Sequence, residues 1–156
     1  MKKKLLIILI SFLFISCSNK IVEGKSAGNL KIGNKISDFS VKRYLLKNII
    51  ITKSEDNRIT DIILFDEKYK LENGLSVNST VEELKEYYQF ESFETGNGDF
   101  LFGPLHFSGT LAGPPGTKDY DDDIQVGDIG GVSFFISDGI IVAIRVYDKD
   151  YNSSNL

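Results

Sequence analysis

Few side chains in this sequence have a type suited to reaction chemistry. The chain contains one histidine, His106, and one cysteine, Cys17. A Ser-His-Asp hydrolase would need His106 as its general base, but no Gly-x-Ser-x-Gly nucleophile turn accompanies it. The segment 105–109 is expected to form a strand. Because side chains alternate between the two faces of a strand, His106 would face away from its apolar neighbours Leu105 and Phe107. The pattern predicts a solvent-facing histidine without a catalytic role, and we predict that the chain is not an enzyme.

A second group of candidate residues is the acidic stretch that follows Gly113-Pro114-Pro115-Gly116. Carboxylate oxygens bind calcium, which makes Asp119, Asp121 and Asp123 candidate metal ligands. The EF-hand pattern fails, however. Counted from Asp119, the sixth position is isoleucine instead of glycine and the twelfth is glycine instead of glutamate. The stretch is typical of a solvated surface loop, and we predict no cofactor.

Cys17 follows a segment with the features of an export signal. Three lysines at positions 2–4 precede an uncharged run from Leu5 to Ile15 that is too short to span a bilayer comfortably. The run Phe14-Ile15-Ser16-Cys17 resembles the lipobox of bacterial lipoproteins. That resemblance implies cleavage between Ser16 and Cys17, lipid attachment to the Cys17 sulfur and tethering to a membrane. Ser18 instead of aspartate after the cysteine resembles outer-membrane sorting, on the periplasmic side.

The charge balance restricts the possible partners. The chain has 18 Lys and Arg against 22 Asp and Glu, and removal of the signal lysines would leave 15 against 22. A nucleic-acid-binding surface needs cations to displace phosphate counterions, so nucleic acid is not a predicted partner. The expected partners are the membrane, through Cys17, and an envelope protein or cell-wall component.

The rest of the pattern predicts one small α+β domain, with a mostly antiparallel sheet and one amphipathic helix at about 80–89. Ser79 is the expected N-cap, with Glu82 closing a capping box. The expected hairpins are 48–54 with 58–65 and 132–137 with 140–147, the second around Asp138-Gly139. Further strands are expected at 39–46, 90–93, 99–102 and 105–109. The expected division of the chain is a signal peptide at 1–16, a lipidated cysteine and flexible tether at 17–29, the domain at 30–148 and a polar tail at 149–156.

A further resemblance concerns the segment from Gly74 to Leu84, in which a glycine and an apolar residue precede a helix of Val-Glu-Glu-Leu type. It is similar to units in SmpA/OmlA-type assembly lipoproteins and in β-lactamase-inhibitor-like domains. The ending Phe134 to Val146, with Asp138-Gly139 inside it, is also similar to uncharacterised envelope lipoproteins. The resemblance implies a non-enzymatic binding or assembly module. The alternative is a small envelope hydrolase that uses His106 or a carboxylate pair.

Overall fold

The secondary structure is mostly antiparallel sheet. The structure is a computed structural model, which describes residues 19–88, 92–95, 98–101 and 125–148. These ranges form three sheets and two helices, which confirms the α+β class but gives two helices instead of one. In chain order the elements are β1 Ile21–Val22, β2 Ser26–Ala27, β3 Leu30–Lys31, α1 Asp38–Leu45, β4 Ile49–Lys53, β5 Ile59–Leu64, α2 Val81–Tyr87, β6 Ser92–Thr95, β7 Gly98–Leu101, β8 Gln125–Asp128, β9 Val132–Ser137 and β10 Ile140–Tyr147.

The largest sheet has five strands in the order β4-β5-β10-β9-β8 and contains both predicted hairpins. The β9-β10 hairpin turns at Asp138 and Gly139, whose φ angles of 53° and 74° are both positive, as a type I′ turn requires. The two hairpins join where β10 pairs with β5, with Ile144 opposite Leu64. Pairing of chain-distant strands therefore creates the centre of the fold.

Both faces of this sheet carry buried apolar side chains. Phe134 in β9 is fully buried and points into the main core, as do Val132 and Ile136. Phe135 points the opposite way into a smaller cluster, which defines what we call the second face of the sheet. That cluster comprises Val126, Phe135 and Ala143, with Ile63, Phe65 and Val142 packed against them. The strand β9 is therefore covered on both faces.

The aromatic-rich region after α2 also forms strands. β6 and β7 pair as an antiparallel two-stranded sheet, close to the positions predicted at 90–93 and 99–102. The strand predicted at 105–109 lies outside the described residues.

The expectation of a flexible tether at 17–29 is wrong for the described residues 19–29. From residue 20 onward, the chain is built into the fold, because β1, β2 and β3 form a three-stranded antiparallel sheet. Ile21 is only 2% exposed and belongs to the main core together with Ala27 and Leu30. The Ile21 amide donates to the Lys70 carbonyl at 2.7 Å, and the Lys70 amide donates to the Asn19 carbonyl at 3.0 Å. The folded domain thus begins before residue 30.

Two long-range contacts fasten the turn between β1 and β2. The Gly24 amide donates to the carbonyl of Gly131 at 3.0 Å, where two glycine backbones meet at close range. The Tyr88 hydroxyl donates to Glu23 Oε1 at 2.8 Å. Burial and this carboxylate neighbour raise the pKa of Tyr88 to about 12, so the phenol stays protonated and keeps its donor at neutral pH.

The first helix, α1, occupies residues that we expected to form a strand at 39–46, and that expectation is wrong. Ser37 caps the helix by accepting the Ser40 amide at 3.2 Å. Lys53 of β4 donates to Asp38 in the first turn at 2.5 Å, and this bond holds the pKa of that carboxyl below its usual value. Val41 and Tyr44, three positions apart, pack against the main core. No α1 residue is fully buried.

The second helix, α2, lies where the sequence predicted it, with its cap shifted by one residue. Thr80, not Ser79, accepts the Glu83 amide at 3.2 Å, and Glu83 accepts the Thr80 amide at 2.8 Å. Leu84 is fully buried, and Val81 and Tyr88 pack beside it. The predicted inward face of the helix is confirmed. Glu82, Glu83 and Lys85 are exposed, as expected.

Replacing Thr80 by alanine is expected to lower the free energy of unfolding by about 0.5–2 kcal/mol through loss of the cap. Ser79→Ala is the matched control. Its hydroxyl only accepts the Ser76 amide at 3.3 Å, so the change should cost less than Thr80→Ala. Urea unfolding of both variants measures the difference, and a larger loss for Ser79→Ala would contradict the observed cap.

Candidate binding groove

The site residues expected from the sequence lie outside the described residues. Cys17, Ser16, His106 and the candidate calcium ligands Asp119, Asp121 and Asp123 are in these parts of the chain. Their predicted roles therefore remain predictions. Within the ranges that the structure describes, no three His, Cys, Asp or Glu side chains are grouped so as to hold a metal ion. Neither α1 nor α2 is long and apolar enough to cross a membrane.

A groove of about 290 Å³ lies at one end of the β4-β5 hairpin. Four chain segments meet there: the α1-β4 turn, the residues after β5, the segment before α2, and the start of β10. The residues that line it are Asn48, Phe65, Asp66, Glu67, Val77, Asn78 and Val142. These segments are brought together by the pairing of β5 with β4 and β10 and by the hydrogen bond between Asn78 and Ile141.

Two asparagines in left-handed backbone conformations shape the edges of the groove. Asn48 has φ 58° and Asn78 has φ 73°, a region that asparagine tolerates better than most residues. Each is fixed by a backbone hydrogen bond. The Asn48 carbonyl accepts the Phe65 amide at 3.1 Å, and the Asn78 amide donates to the Ile141 carbonyl at 2.8 Å. Hydrogen bonds therefore fix the backbone that carries these two side-chain amides.

Three apolar residues line the groove, and we call them its floor. Val77 is buried in the main core, whereas Phe65 and Val142 are partly buried beside the smaller cluster on the second face. The groove therefore opens between the two apolar clusters. Its floor can receive a side chain of a partner without burying an unsatisfied polar group.

The rim of the groove is rich in hydrogen-bond acceptors. Partial burial raises the pKa of Asp66, but hydrogen bonds from Lys68 outweigh this effect and leave that pKa below its usual value. The Lys68 amide lies 3.0 Å from one Asp66 oxygen, and its ammonium lies 2.5 Å from the other. Glu67 accepts a bond from the Asn78 side-chain amide at 3.0 Å. Because a general acid needs a raised pKa, Asp66 is suited to accept hydrogen bonds rather than to donate a proton in catalysis.

Another polar group, an ion pair, lies on the second face of the sheet. Arg145 Nε donates to Asp61 Oδ1 at 2.6 Å, and the Arg145 guanidinium lies 4.7 Å from the centre of the Tyr147 ring. The ion pair is mostly shielded from solvent. Asp61 and Phe65 are four residues apart on β5 and its continuation, so this ion pair is about 13 Å from the groove floor. Arg145 is committed to Asp61 and does not neutralise the acidic rim.

The sequence patterns did not predict this groove. Asn48 directly before a strand and Asn78 three residues before a helix were the available signals, because asparagine at such boundaries often has a positive φ. No local pattern indicated that the two positions meet. No known protein family, curated protein or solved structure matches this chain.

Proposed function

We propose that the chain is a lipid-anchored protein of the bacterial envelope whose domain binds a protein partner in the groove, without enzymatic activity of its own. The observation that carries the binding proposal is the combination of an apolar floor with an acceptor-rich rim. Recognition sites commonly consist of an apolar pocket with a few placed polar groups. The matching partner segment offers an apolar side chain flanked by an amide or cationic donor.

The anchoring half of the proposal rests on the lysines at positions 2–4, the apolar run and the Phe14-Ile15-Ser16-Cys17 sequence. Two or more acyl chains hold a protein stably in a membrane, whereas one chain does so only marginally. Lipid at Cys17 would place the domain on the membrane surface, and Ser18 favours the periplasmic face of an outer membrane.

Replacing Cys17 by alanine is expected to remove the protein from the membrane fraction. The variant should appear as a soluble exported domain or accumulate as an unprocessed precursor, because no sulfur remains to be acylated. Fractionation followed by mass measurement distinguishes these forms. A variant processed normally and still tightly membrane-bound would overturn the anchoring proposal.

The binding half is tested by a photo-crosslinking amino acid at Asn48, on the groove rim, in the full chain in its own membranes. The matched control is Glu55, which is also exposed but lies in the turn at the opposite end of β4. We expect a discrete protein adduct from Asn48 and none from Glu55. Glu67→Lys, which reverses an exposed rim charge, should weaken the Asn48 adduct. Equal adducts from both positions, or none from Asn48, would contradict the proposal.

A further inference from the structure

The structure leaves little chain between the proposed lipid anchor and the folded domain. Asn19 is hydrogen-bonded to Lys70, and Ile21, four residues after Cys17, lies in the main core. A fully extended chain spans at most about 3.6 Å per residue, so the Cα atom of Cys17 can be no more than about 14 Å from that of Ile21. With lipid on Cys17, as proposed above, the surface around Asn19 and Lys70 would lie close to the membrane.

A short series of backbone contacts leads from the end of α1 to the start of the domain. Asn48, two residues after Leu46, is hydrogen-bonded to Phe65. The short turn after Phe65 leads to Tyr69 and Lys70, and the Tyr69 amide donates to the Asp66 carbonyl at 3.3 Å. Lys70 in turn is bonded to Asn19 and Ile21. A continuous series of short contacts thus connects α1 with the start of the domain.

The helix α1 presents large apolar side chains to solvent. Phe39 is 76% exposed and Leu46 is 84% exposed, the highest values among the large hydrophobic residues that the structure describes. They are seven positions apart, which is about two helical turns, so they lie along one side of the helix. Val41 and Tyr44 instead pack inward against the core. Packing of the core therefore does not explain why positions 39 and 46 carry large apolar side chains.

The charged residues around this apolar stripe are mostly basic, although the chain as a whole has more acidic than basic residues. Lys42, Arg43 and Lys47 are exposed at or after the last turn of α1. The helix has one acidic residue, Asp38, and Lys53 of β4 pairs with it. Aromatic and aliphatic side chains bordered by lysine and arginine are typical of helices that lie in the interface of an anionic membrane.

We infer that α1 is a second membrane contact, in which Phe39 and Leu46 insert into the lipid interface while Lys42, Arg43 and Lys47 meet anionic headgroups. This inference rests on the proposed lipid anchor at Cys17. The anchor brings the surface to the bilayer, and α1 fixes which side of the domain faces it. The groove is then held at a defined orientation relative to the membrane.

The inference is tested on the full lipidated chain in vesicles of phosphatidylethanolamine and phosphatidylglycerol. The only native cysteine is Cys17, so Leu46→Cys supplies a single free thiol for an environment-sensitive fluorophore once Cys17 is acylated. Glu55→Cys in the β4-β5 turn is the matched control. We expect a blue shift and quenching by spin-labelled lipid at position 46 and neither at position 55. Phe39→Ser in the labelled protein should reduce the quenching. Because Phe39 is exposed, this change should leave the fold intact, which circular dichroism checks.

The outcomes separate this inference from the anchor itself. Protein that floats with the vesicles while the position-46 label stays in water and unquenched would overturn the membrane contact and leave the anchor standing. A blue shift without quenching that grows with protein concentration would overturn it in favour of contact between copies. Protein that fails to float would overturn both the anchor and the contact.

Discussion

Replacing Phe134 by alanine is expected to lower the free energy of unfolding by about 3–5 kcal/mol. Phe134 is fully buried in the main core, and its ring centre lies 5.7 Å from that of Tyr88. Its strand, β9, is paired on both sides, by β10 and by β8, so the backbone has little freedom to close the resulting cavity. Domains of this kind are usually stable by about 5–15 kcal/mol, and the change would remove a large part of that margin.

Phe39→Ala is the matched control for this experiment, because it deletes the same side chain from an exposed position. In the absence of membrane it should change stability by no more than about 0.5 kcal/mol. Urea unfolding followed by circular dichroism measures both variants. Similar losses for the two, or a negligible loss for Phe134→Ala, would mean that β9 does not present Phe134 to the core.

The second large effect is expected at Gly131. Its φ of 114° is unfavourable for other residues, and an added Cβ would approach Gly24 Cα and N to 2.8 Å. Backbone atoms cannot move away as the end of a flexible side chain can. Gly131→Ala should therefore combine conformational strain with overpacking, and lower the free energy of unfolding by about 2–6 kcal/mol.

Gly139→Ala separates these two causes. Gly139 also has a positive φ, 74°, but a Cβ there would meet nothing within 4 Å. Only the left-handed conformation is penalised, at about 1–2 kcal/mol. Thermal or urea unfolding compares the two variants. If Gly139→Ala proves as damaging as Gly131→Ala, the close approach of Gly24 and Gly131 does not contribute to stability.

Local sequence signals were sufficient for the two hairpins and for α2. Asp138-Gly139 specifies its turn through the positive φ angles that both residues adopt readily. The cap of α2 was misplaced by one residue because Ser79 and Thr80 are both good caps, with Glu82 and Glu83 as matching partners. Tertiary pairing decides between them. The Ile141 amide donates to the Ser79 carbonyl, and the Val81 amide donates to the Gly139 carbonyl. These two bonds flank a bridge between Thr80 and Ile140, which holds Thr80 in the extended conformation of a cap.

Non-local contacts explain what the sequence did not predict. The aromatic and β-branched residues of α1 favour a strand in isolation, but the Ser37 cap and the inward packing of Val41 and Tyr44 stabilise a helix. The strands β1 to β3 are two residues each, too short for a recognisable alternation. The residues that attach this segment to the rest of the fold, Lys70 and Gly131, are distant in the chain. The groove likewise depends on β5 pairing with β10, which brings Asn48 and Asn78 to one place.

The attachment of Asn19 and Ile21 to Lys70 has a mechanical consequence for the proposed anchor at Cys17. An elastic linker would absorb tension between the bilayer and the domain, but here the first load-bearing bonds belong to the fold itself. A pull along the chain acts at once on the Lys20–Lys70 bridge, and then on Ile21 in the core. Drag on a lipid at Cys17, as proposed above, would accordingly be transmitted through Ile21 to the main core of the domain.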